Sequence, residues 1–525
     1  MTCSKIFSGD LPAELTYEVI KYFQNDDYST LHSCLLVNRL WCLNRLWCRL
    51  AIPLLWENPF SINTGNYNFI EIYLHNLNDD DFNTKLNEHN IVNNSLLSNL
   101  LFNYTKFLKY LNIRKFILSV NKWLESAIIT SNTTNRSNFK VLIDICATIF
   151  KIFIENKVNL HVLEIENLSD YYHKCFVNIL KLILKNTEFI HNIRNINLFN
   201  VSNTLDYYYI SQIINLQQNL KKISISDNLF LYHSLLLSKK SDCSNTLTII
   251  IFYKVNFNFK FLWANKIFER LNHLNVLESI HILYCSFNNN FNQQIINLTK
   301  PFKLKSLLID EKSQIGFESS KLLLQKSGDY LENFGLCPSY FSSMIESNEL
   351  IKLITKYCKN INFFYFTMHE IQFTYQIFNL IENIKQNLNY LSIDVWPDFI
   401  GLKSIESTPS SMILQNLGQI LPSKLEYLHL RLYFIKASDF EVFLKNSQDT
   451  FIKKLSINTG LGQDILPLIK NYIMKKKRVK YLAINDSSKE LISLKEVNEF
   501  KLYNIEVQRH SDLMIDLYDY IKEIN

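Results

Sequence analysis

Glycine is scarce in this chain. Nine glycines among 525 residues are far fewer than the ~7% of average usage. Nucleotide-binding folds place several glycines together where the backbone approaches a phosphate, in patterns such as GxGxxG or GxxxxGK[ST]. Neither pattern occurs, and the lone Gly460-x-Gly462 is typical of an ordinary loop. Nothing in the sequence therefore indicates a nucleotide site.

Metal-binding and catalytic motifs are missing too. The ten cysteines are scattered, with no CxxC pair and no Cys/His cluster at zinc spacing. The twelve histidines form no HExxH, and no GxSxG occurs. His32 with Cys34 and His173 with Cys175 fit amphipathic helices better than a catalytic pair. We expect a non-enzymatic protein without catalytic residues, metal or cofactor.

Long hydrophobic runs are absent as well. No stretch approaches the ~18–20 apolar residues that span a bilayer, and the opening MTCSKIFSGD lacks the apolar core of a signal peptide. The formal charge of +6 is mild for this length and does not indicate nucleic-acid binding. We expect an intracellular protein, cytoplasmic or nuclear, with buried free thiols and neither a membrane nor a nucleic-acid partner.

What the chain does contain is a repeat. The pattern apolar-x-x-apolar-x-apolar recurs thirteen times between residues 160 and 507, most often at a step of 27 residues. Self-similarity at such a step indicates a repeat array. The copies begin at Leu160, Ile193, Leu220, Leu247, Leu277, Leu304, Leu331, Ile361, Leu388, Leu425, Ile452, Val479 and, in a weaker form, Leu502.

Blocks with helical periodicity separate these hexamers. In residues 174–185, apolar side chains at Phe176, Ile179, Leu180 and Ile183 follow the spacing of an amphipathic helix. Residues 319–328, 347–358, 373–386 and 438–447 behave in the same way. One strand and one helix per 23–37 residues resembles a leucine-rich repeat of the longer kind.

The fold class predicted from this pattern is α/β. Neither the strand nor the helix of one unit buries its apolar side alone, so the units stack and share a core. The resemblance implies a leucine-rich-repeat solenoid over residues 160–525, with parallel strands on the concave side and helices on the convex side. Residues 511–524 are a candidate cap for its C-terminal end.

The first fifty residues follow a different pattern. LPAELTYEVIKYF (11–23) begins with Leu-Pro and continues at helical spacing, and Pro12 is tolerated in a first turn. This region resembles the F-box, a small helical module of about 45 residues that precedes leucine-rich repeats in substrate receptors of cullin-RING ubiquitin ligases. The matching residues are Leu11, Pro12, Glu14, Leu15, Ile20, Leu31, Cys34, Val37, Arg39 and Trp41, with Leu55-Trp56 at the end.

The resemblance implies an F-box over residues 8–57 that docks on a Skp-type adaptor, which is linked to a cullin. A module this small leaves apolar positions uncovered, and a partner covers them. The alternative for each of these positions is the core of the module itself. The residues expected at the adaptor are Leu11, Pro12, Leu15, Ile20, Leu31, Cys34 and Val37.

Between the two parts, residues 58–159 are predicted as a helical connector, an N-terminal cap, or atypical first repeats. Residues 93–111 and 138–156 have the composition of helices. Just before this region, the block NRLWC occurs twice, at 38–42 and 44–48. We predict that the duplication lengthens one helix over about 38–51, ended by Pro53, with Trp41 in the module core and Trp47 against the connector.

The pattern of the predicted strands also indicates a binding surface for a target protein. In a strand, alternate residues point to opposite faces. If positions 1, 4 and 6 of each hexamer point inward, Phe363, Tyr390 and Tyr427 form an aromatic ridge on the other face. Exposed aromatic and arginine side chains are typical of interface hot spots. A chance ridge, or a terminal segment that covers it, is the alternative. Three further residues flank the ridge: Tyr365, His429 and Arg431.

Three functions remain open at this point. By resemblance, the protein is a substrate receptor that promotes ubiquitination of an unknown target. The alternatives are a repeat scaffold or ligand-sensing protein with no ligase association, and a small-molecule receptor with a pocket in the concave face. Co-purification with a Skp-type adaptor separates the first from the others.

Overall fold

A computed structural model describes the greater part of the chain. It covers residues 45–62, 67–74, 102–127, 135–166, 169–199, 204–226, 245–257, 274–287, 303–309, 315–336, 344–368, 371–395, 409–474, 476–486, 489–493 and 497–524, with 14, 15, 17, 18, 20, 21 and 271. The chain divides into two compact units, Met1–Leu247 and Thr248–Asn525, called unit 1 and unit 2.

Unit 1 begins with helical residues between positions 14 and 21. Its helices are α1 (Arg45–Leu55), α2 (Phe69–Leu74), α3 (Ile113–Ala127), α4 (Asn135–Glu155), α5 (His173–Lys185) and α6 (Thr204–Asn215). Its strands are β1 (Tyr110–Asn112), β2 (Val162–Glu166), β3 (Asn195–Phe199) and β4 (Lys222–Ser226). They pair in parallel in that order. The contacts α3–α4, α4–α5 and α5–α6 also follow chain order.

Unit 2 extends the same alternation. Its strands are β5 (Ile249–Tyr253), β6 (Ser279–Leu283), β7 (Leu304–Ile309), β8 (Asn333–Leu336), β9 (Phe363–Met368), β10 (Tyr390–Val395), β11 (Lys424–Ile435), β12 (Phe451–Gly462), β13 (Val479–Asp486), β14 (Lys489–Glu490) and β15 (Glu506–Val507). Strands β5 to β13 are parallel and pair in chain order. At the edge, β13 pairs with antiparallel β14 and parallel β15.

The helices of unit 2 stack in chain order too. They are α7 (Phe317–Ser327), α8 (Met344–Tyr357), α9 (Thr374–Ile384), α10 (Pro409–Ile420), α11 (Ala437–Asn446), α12 (Leu466–Ile469), α13 (Val497–Lys501), α14 (His510–Leu513) and α15 (Leu517–Ile524). Each helix from α7 to α10 contacts the next. The α/β class with parallel strands is therefore confirmed, as are the helices predicted at 174–185, 319–328, 347–358, 373–386 and 438–447.

The hexamer pattern maps onto the core. Its first, fourth and sixth positions are buried in almost every copy, as for Ile361, Phe364 and Phe366. Two first positions depart from the pattern: Leu277 is half-buried and Leu502 is 81% exposed. Four cysteines of the described chain are buried free thiols, as expected: Cys146, Cys175, Cys285 and Cys358.

Asparagine side chains connect successive repeats. Asn219, Asn360 and Asn387 each come directly before the first apolar position of a hexamer. Each donates its side-chain amide to a backbone carbonyl of the preceding repeat, at His191, Asp329 and Lys359 respectively. These hydrogen bonds satisfy carbonyls that the turns leave without a strand partner. The asparagines that make these contacts therefore lie just before the strands.

Part of the connector is an atypical first repeat. Residues 102–111, within a segment predicted as helix, contain a 3-10 turn at Tyr104–Phe107 and strand β1, so the helix prediction is wrong there. Leu108, Leu111 and Ile113 are fully buried and carry the same apolar spacing as the hexamers. Strand β1 pairs with β2 through the register Tyr110 to Val162.

Helix α1 differs from the prediction at its end. It starts at Arg45 and continues through Pro53 to Leu55, so Pro53 does not terminate it. The proline lacks an N–H for the carbonyl four residues earlier, but it lies in the last turns, and Ala51 and Leu54 are buried there. Residues 38–44, including Trp41, lie outside the described residues, as does the side chain of Trp47.

Trp56 connects α1 to the rest of unit 1. Its ring lies 4.5 Å from that of Tyr104, 5.4 Å from Tyr73 and 6.3 Å from Phe69, measured between centroids. Aromatic rings at such separations contribute about 0.5–1.5 kcal/mol per pair beyond the buried area. Trp56 thus makes a contact with the connector of the kind predicted for Trp47.

Candidate functional site

The predicted aromatic ridge is formed by the strand register of unit 2. Phe363 on β9 aligns with Tyr390 on β10, which aligns with Tyr427 on β11. The rings of Phe363 and Tyr390 stack at 5.9 Å. Tyr365 and His429 lie on the same face two residues further along their strands, because side chains alternate between faces. We call these residues, together with Arg431, the aromatic face.

The ridge is not exposed, however. Phe363 and Tyr427 are each 3% exposed and His429 is 4% exposed. The part of the chain that covers them is residues 509–524, which we call the C-terminal segment. The prediction of an open docking strip is therefore wrong for these residues, and the alternative, a terminal segment over the ridge, is what the structure contains.

Tyrosine rings hold the C-terminal segment on the face. Tyr520 lies 5.7 Å from Phe363 and 4.8 Å from Tyr390 between ring centroids, and its hydroxyl hydrogen-bonds that of Tyr390. Tyr518 packs against Tyr253 at 4.3 Å. The segment was predicted to cap the end of the array, but its rings contact strands β5, β9 and β10 on the sheet face.

An aspartate within the C-terminal segment caps its last helix. Asp516 is the residue before α15, and its Oδ1 accepts the backbone N–H of Tyr518 at 2.8 Å and that of Asp519 at 3.3 Å. An aspartate at this position typically stabilises a helix by about 0.5–2 kcal/mol relative to alanine. Leu517 and Ile521 of this helix are buried.

A polar cluster lies beside the ridge. His429 Nε2 is 3.5 Å from Asp394 Oδ1, and His429 Nδ1 is 3.1 Å from Ser456 Oγ. The Tyr365 hydroxyl donates to Asp394 Oδ2 at 3.3 Å. Asp394 Oδ1 is nevertheless buried without a hydrogen-bond partner in the described chain, whereas most buried polar atoms have one. Asp394 was not among the predicted site residues. The signal that could have found it is its position: it directly follows Ile393 and pairs in register with Arg431, which was predicted.

The segment does not fill the whole space above the face. A cavity of about 410 Å³ remains between them, within the range of about 300–1,000 Å³ for small-molecule pockets. The sheet contributes aromatic and polar walls: Tyr284, Phe363, Tyr365, Ser392, Asp394, Tyr427 and His429. The segment contributes Ser511, Met514, Ile515, Asp516 and Leu517.

Burial shifts the pKa of two groups at this contact. It raises the pKa of the Tyr427 hydroxyl, which the main chain of Ile515 hydrogen-bonds, so Tyr427 stays neutral at physiological pH. Burial also lowers the pKa of His510, and the neighbouring His429 lowers it further. The two imidazole rings lie 5.4 Å apart. His510 Nε2 is buried without a hydrogen-bond partner in the described chain.

Docking of the segment is therefore expected to weaken in acid. His510 faces His429 and Arg431 on β11, Asp394 on β10 and Glu490 on β14. The docked state disfavours the His510 imidazolium, so the contribution of neutral His510 to docking is complete above the ordinary pKa of 6.5 and decreases as pH falls from there towards the lowered pKa of the docked state. We expect faster amide hydrogen exchange of residues 510–524, corrected for intrinsic rates, at pH 5.5 than at pH 7.5. In His510→Gln this difference should shrink; an equal difference in both proteins would contradict the assignment.

Of the seven residues predicted to contact the adaptor, the structure describes Leu15 and Ile20. Leu15 is 54% exposed, whereas Ile20 is buried against Ala51 and Leu54 of α1. The placement of Ile20 on the adaptor surface is therefore wrong, because it belongs to the core of the module. The remaining five lie outside the described residues: Leu11, Pro12, Leu31, Cys34 and Val37.

Metal-binding clusters and membrane-spanning helices are absent from the described residues. Within the described residues, no group of His, Cys, Asp and Glu is arranged to hold a metal ion. None of the helices in that part of the chain is long and apolar enough to cross a membrane. No protein-family model and no curated protein matches this chain.

Proposed function

We propose that the protein is a substrate-recognition adaptor of a cullin-RING ubiquitin ligase. Its F-box binds a Skp-type adaptor, and its leucine-rich-repeat solenoid binds a target protein. The chain itself performs no covalent step. It contributes proximity, because holding the target beside the ligase makes ubiquitin transfer effectively intramolecular.

The observation that carries this proposal is the contrast between Leu15 and Ile20. Both lie in the same short helical stretch and both match the F-box resemblance, yet Ile20 is in the module core and Leu15 faces solvent. Burying one leucine in an interface is worth about 1.5–3 kcal/mol. An exposed leucine beside a small core suits a module that a partner completes.

The repeats support the second half of the proposal. Successive strands of unit 2 align aromatic side chains across β9, β10 and β11, and the face they form accepts a helical segment of protein. Aromatic side chains are enriched in the residues that dominate binding energy at interfaces.

The test is binding of the full chain to a recombinant Skp-type adaptor. Leu15→Asp is expected to weaken binding at least tenfold, which is about 1.4 kcal/mol, because it places a charge in an apolar contact. Glu18→Ala, exposed on the same helical stretch, should bind as the wild type does. Isothermal titration calorimetry measures both.

The double variant Leu11→Ala/Pro12→Ala provides an independent check at the entry of the motif, and it should also lose the adaptor. If the wild-type chain does not bind the adaptor, or if Leu15→Asp binds with unchanged affinity, the ligase assignment fails. The repeat architecture would be unaffected by that outcome.

A second candidate is a ligand-sensing repeat protein without ligase association. The cavity of about 410 Å³ beside Asp394 and His429 favours it, since a few convergent polar groups in an aromatic pocket are typical of ligand sites. It predicts no adaptor binding, together with a rise in melting temperature on ligand addition that Asp394→Ala abolishes.

A further inference from the structure

The C-terminal segment packs on the aromatic face without joining the sheet. It consists of the two short helices α14 and α15, whereas the strands beneath it pair with one another. Its release therefore leaves the strand ladder intact. The chain enters the segment through β15, where the backbone N–H of Gln508 donates to the Leu482 carbonyl at 2.9 Å.

The helix α15 depends on the face for its stability. It has eight residues, and isolated helices shorter than about 12–15 residues are marginal in water. The capping aspartate helps, but the burial of Leu517, Tyr518 and Ile521 provides the apolar contact. Undocking and loss of helical structure are thus expected to occur together.

The segment and the face also match in charge. The segment carries four carboxylates against two cationic side chains, Arg509 and Lys522; the acidic residues are Asp512, Asp516, Asp519 and Glu523. Arg431 lies on β11, beside Asp394 of β10. Lys454 lies on β12, beside Tyr427 of β11. Complementary potentials of this kind favour association and specify the partner.

We propose that the C-terminal segment is an internal ligand of the aromatic face. A target protein presents an acidic amphipathic helix with tyrosines and binds by displacing the segment. This inference rests on the proposed function in that the repeats receive a target. The segment shows which chemistry fits the face: aromatic rings for Phe363 and Tyr390, an apolar stripe, and an excess of carboxylates over cations.

A peptide of residues 509–524 in trans tests the proposal on the full chain. Tyr518→Ala/Tyr520→Ala removes the rings that hold the internal segment, so the labelled wild-type peptide should bind this variant at least tenfold more tightly than the wild-type chain. Tyr375→Ala changes an exposed residue of α9, outside the segment, and should bind like the wild type. A scrambled peptide should bind none of the three.

A measurement without any substitution guards against misfolding of the variant. In the wild-type chain, excess peptide should displace the internal segment and increase amide hydrogen exchange of residues 510–524. Equal peptide affinity in wild type and double variant, or no increase in exchange at saturating peptide, overturns the proposal. Adaptor binding is read separately: Leu15→Asp should leave peptide binding unchanged, and the tyrosine variant should keep adaptor affinity.

Discussion

Replacing Phe364 by alanine is expected to lower the free energy of unfolding of unit 2 by about 3–5 kcal/mol. Phe364 occupies the fourth hexamer position on β9 and is fully buried. Its ring stacks on Phe334 of the preceding repeat at 6.4 Å and lies 6.1 Å from Phe366. The substitution leaves a cavity between two repeats, and stability in a repeat array depends on such nearest-neighbour contacts.

Urea denaturation of the full chain, followed by circular dichroism, measures this loss, with hydrogen exchange of residues 363–368 to locate it. Tyr375→Ala is the matched control, because Tyr375 is 66% exposed on α9 and surface changes usually stay within about 0.5 kcal/mol. If Phe364→Ala lowers the free energy of unfolding no more than the control does, the apolar positions of the hexamers do not form the shared core. A change in the slope with urea would instead indicate a change in the surface exposed on unfolding.

The strand register was predictable from the sequence to the single residue for most strand pairs, whereas β6–β7 and β13–β15 are offset by two residues from equal hexamer positions. Phe363, Tyr390 and Tyr427 occupy equal positions in their hexamers and pair as expected. The physical reason is that a shift by one residue would move every apolar side chain of a strand to the wrong face. The burial pattern therefore excludes a shift by one residue, but it allows the two-residue offset found between β6 and β7.

The first repeat was predicted only as one of several alternatives, and its strand was predicted as helix, for an equally physical reason. Leu108, Leu111 and Ile113 carry the same spacing, but they follow an apolar run with helical periodicity. Short apolar stretches do not separate helix from strand by period alone. The pairing of β1 with β2 decides the matter, and that is a contact between residues about 50 positions apart in the chain.

The cover over the aromatic face was not predictable in the same way. The apolar residues Leu513, Leu517 and Ile521 recur every four positions, which indicates an amphipathic helix with one buried side. This spacing does not specify the surface on which the helix packs. That choice depends on the tyrosine contacts with Tyr253, Phe363 and Tyr390, which connect residues far apart in sequence.

An internal ligand has a quantitative consequence for target binding. The apparent affinity of a partner is its intrinsic affinity multiplied by the fraction of protein with the face open. If the segment is docked 99% of the time, the partner loses about a hundredfold in apparent affinity. Lowering the pH or weakening the tyrosine contacts should therefore raise target affinity without any new contact to the target.

Replacing Gly418 by valine is expected to lower the stability of unit 2 by about 3 kcal/mol, the upper end of the usual cost of overpacking. A Cβ at Gly418 on α10 would lie 2.7 Å from the Phe443 carbonyl oxygen and 3.0 Å from Asn446 Cβ on α11. The same carbonyl accepts the Ser447 N–H at 2.9 Å, so it cannot move without disturbing the end of α11.

Gly316→Val provides the matched control, because a Cβ at Gly316 has nothing within 4 Å, and the loss there should stay below about 1 kcal/mol. Chemical denaturation of both variants measures the difference. Equal losses would mean that α10 and α11 separate at little cost and that the helix layer is not tightly packed. A larger loss at Gly418 would explain one of the chain's few glycines by the close approach of adjacent repeats, a structural role that requires no phosphate-binding loop.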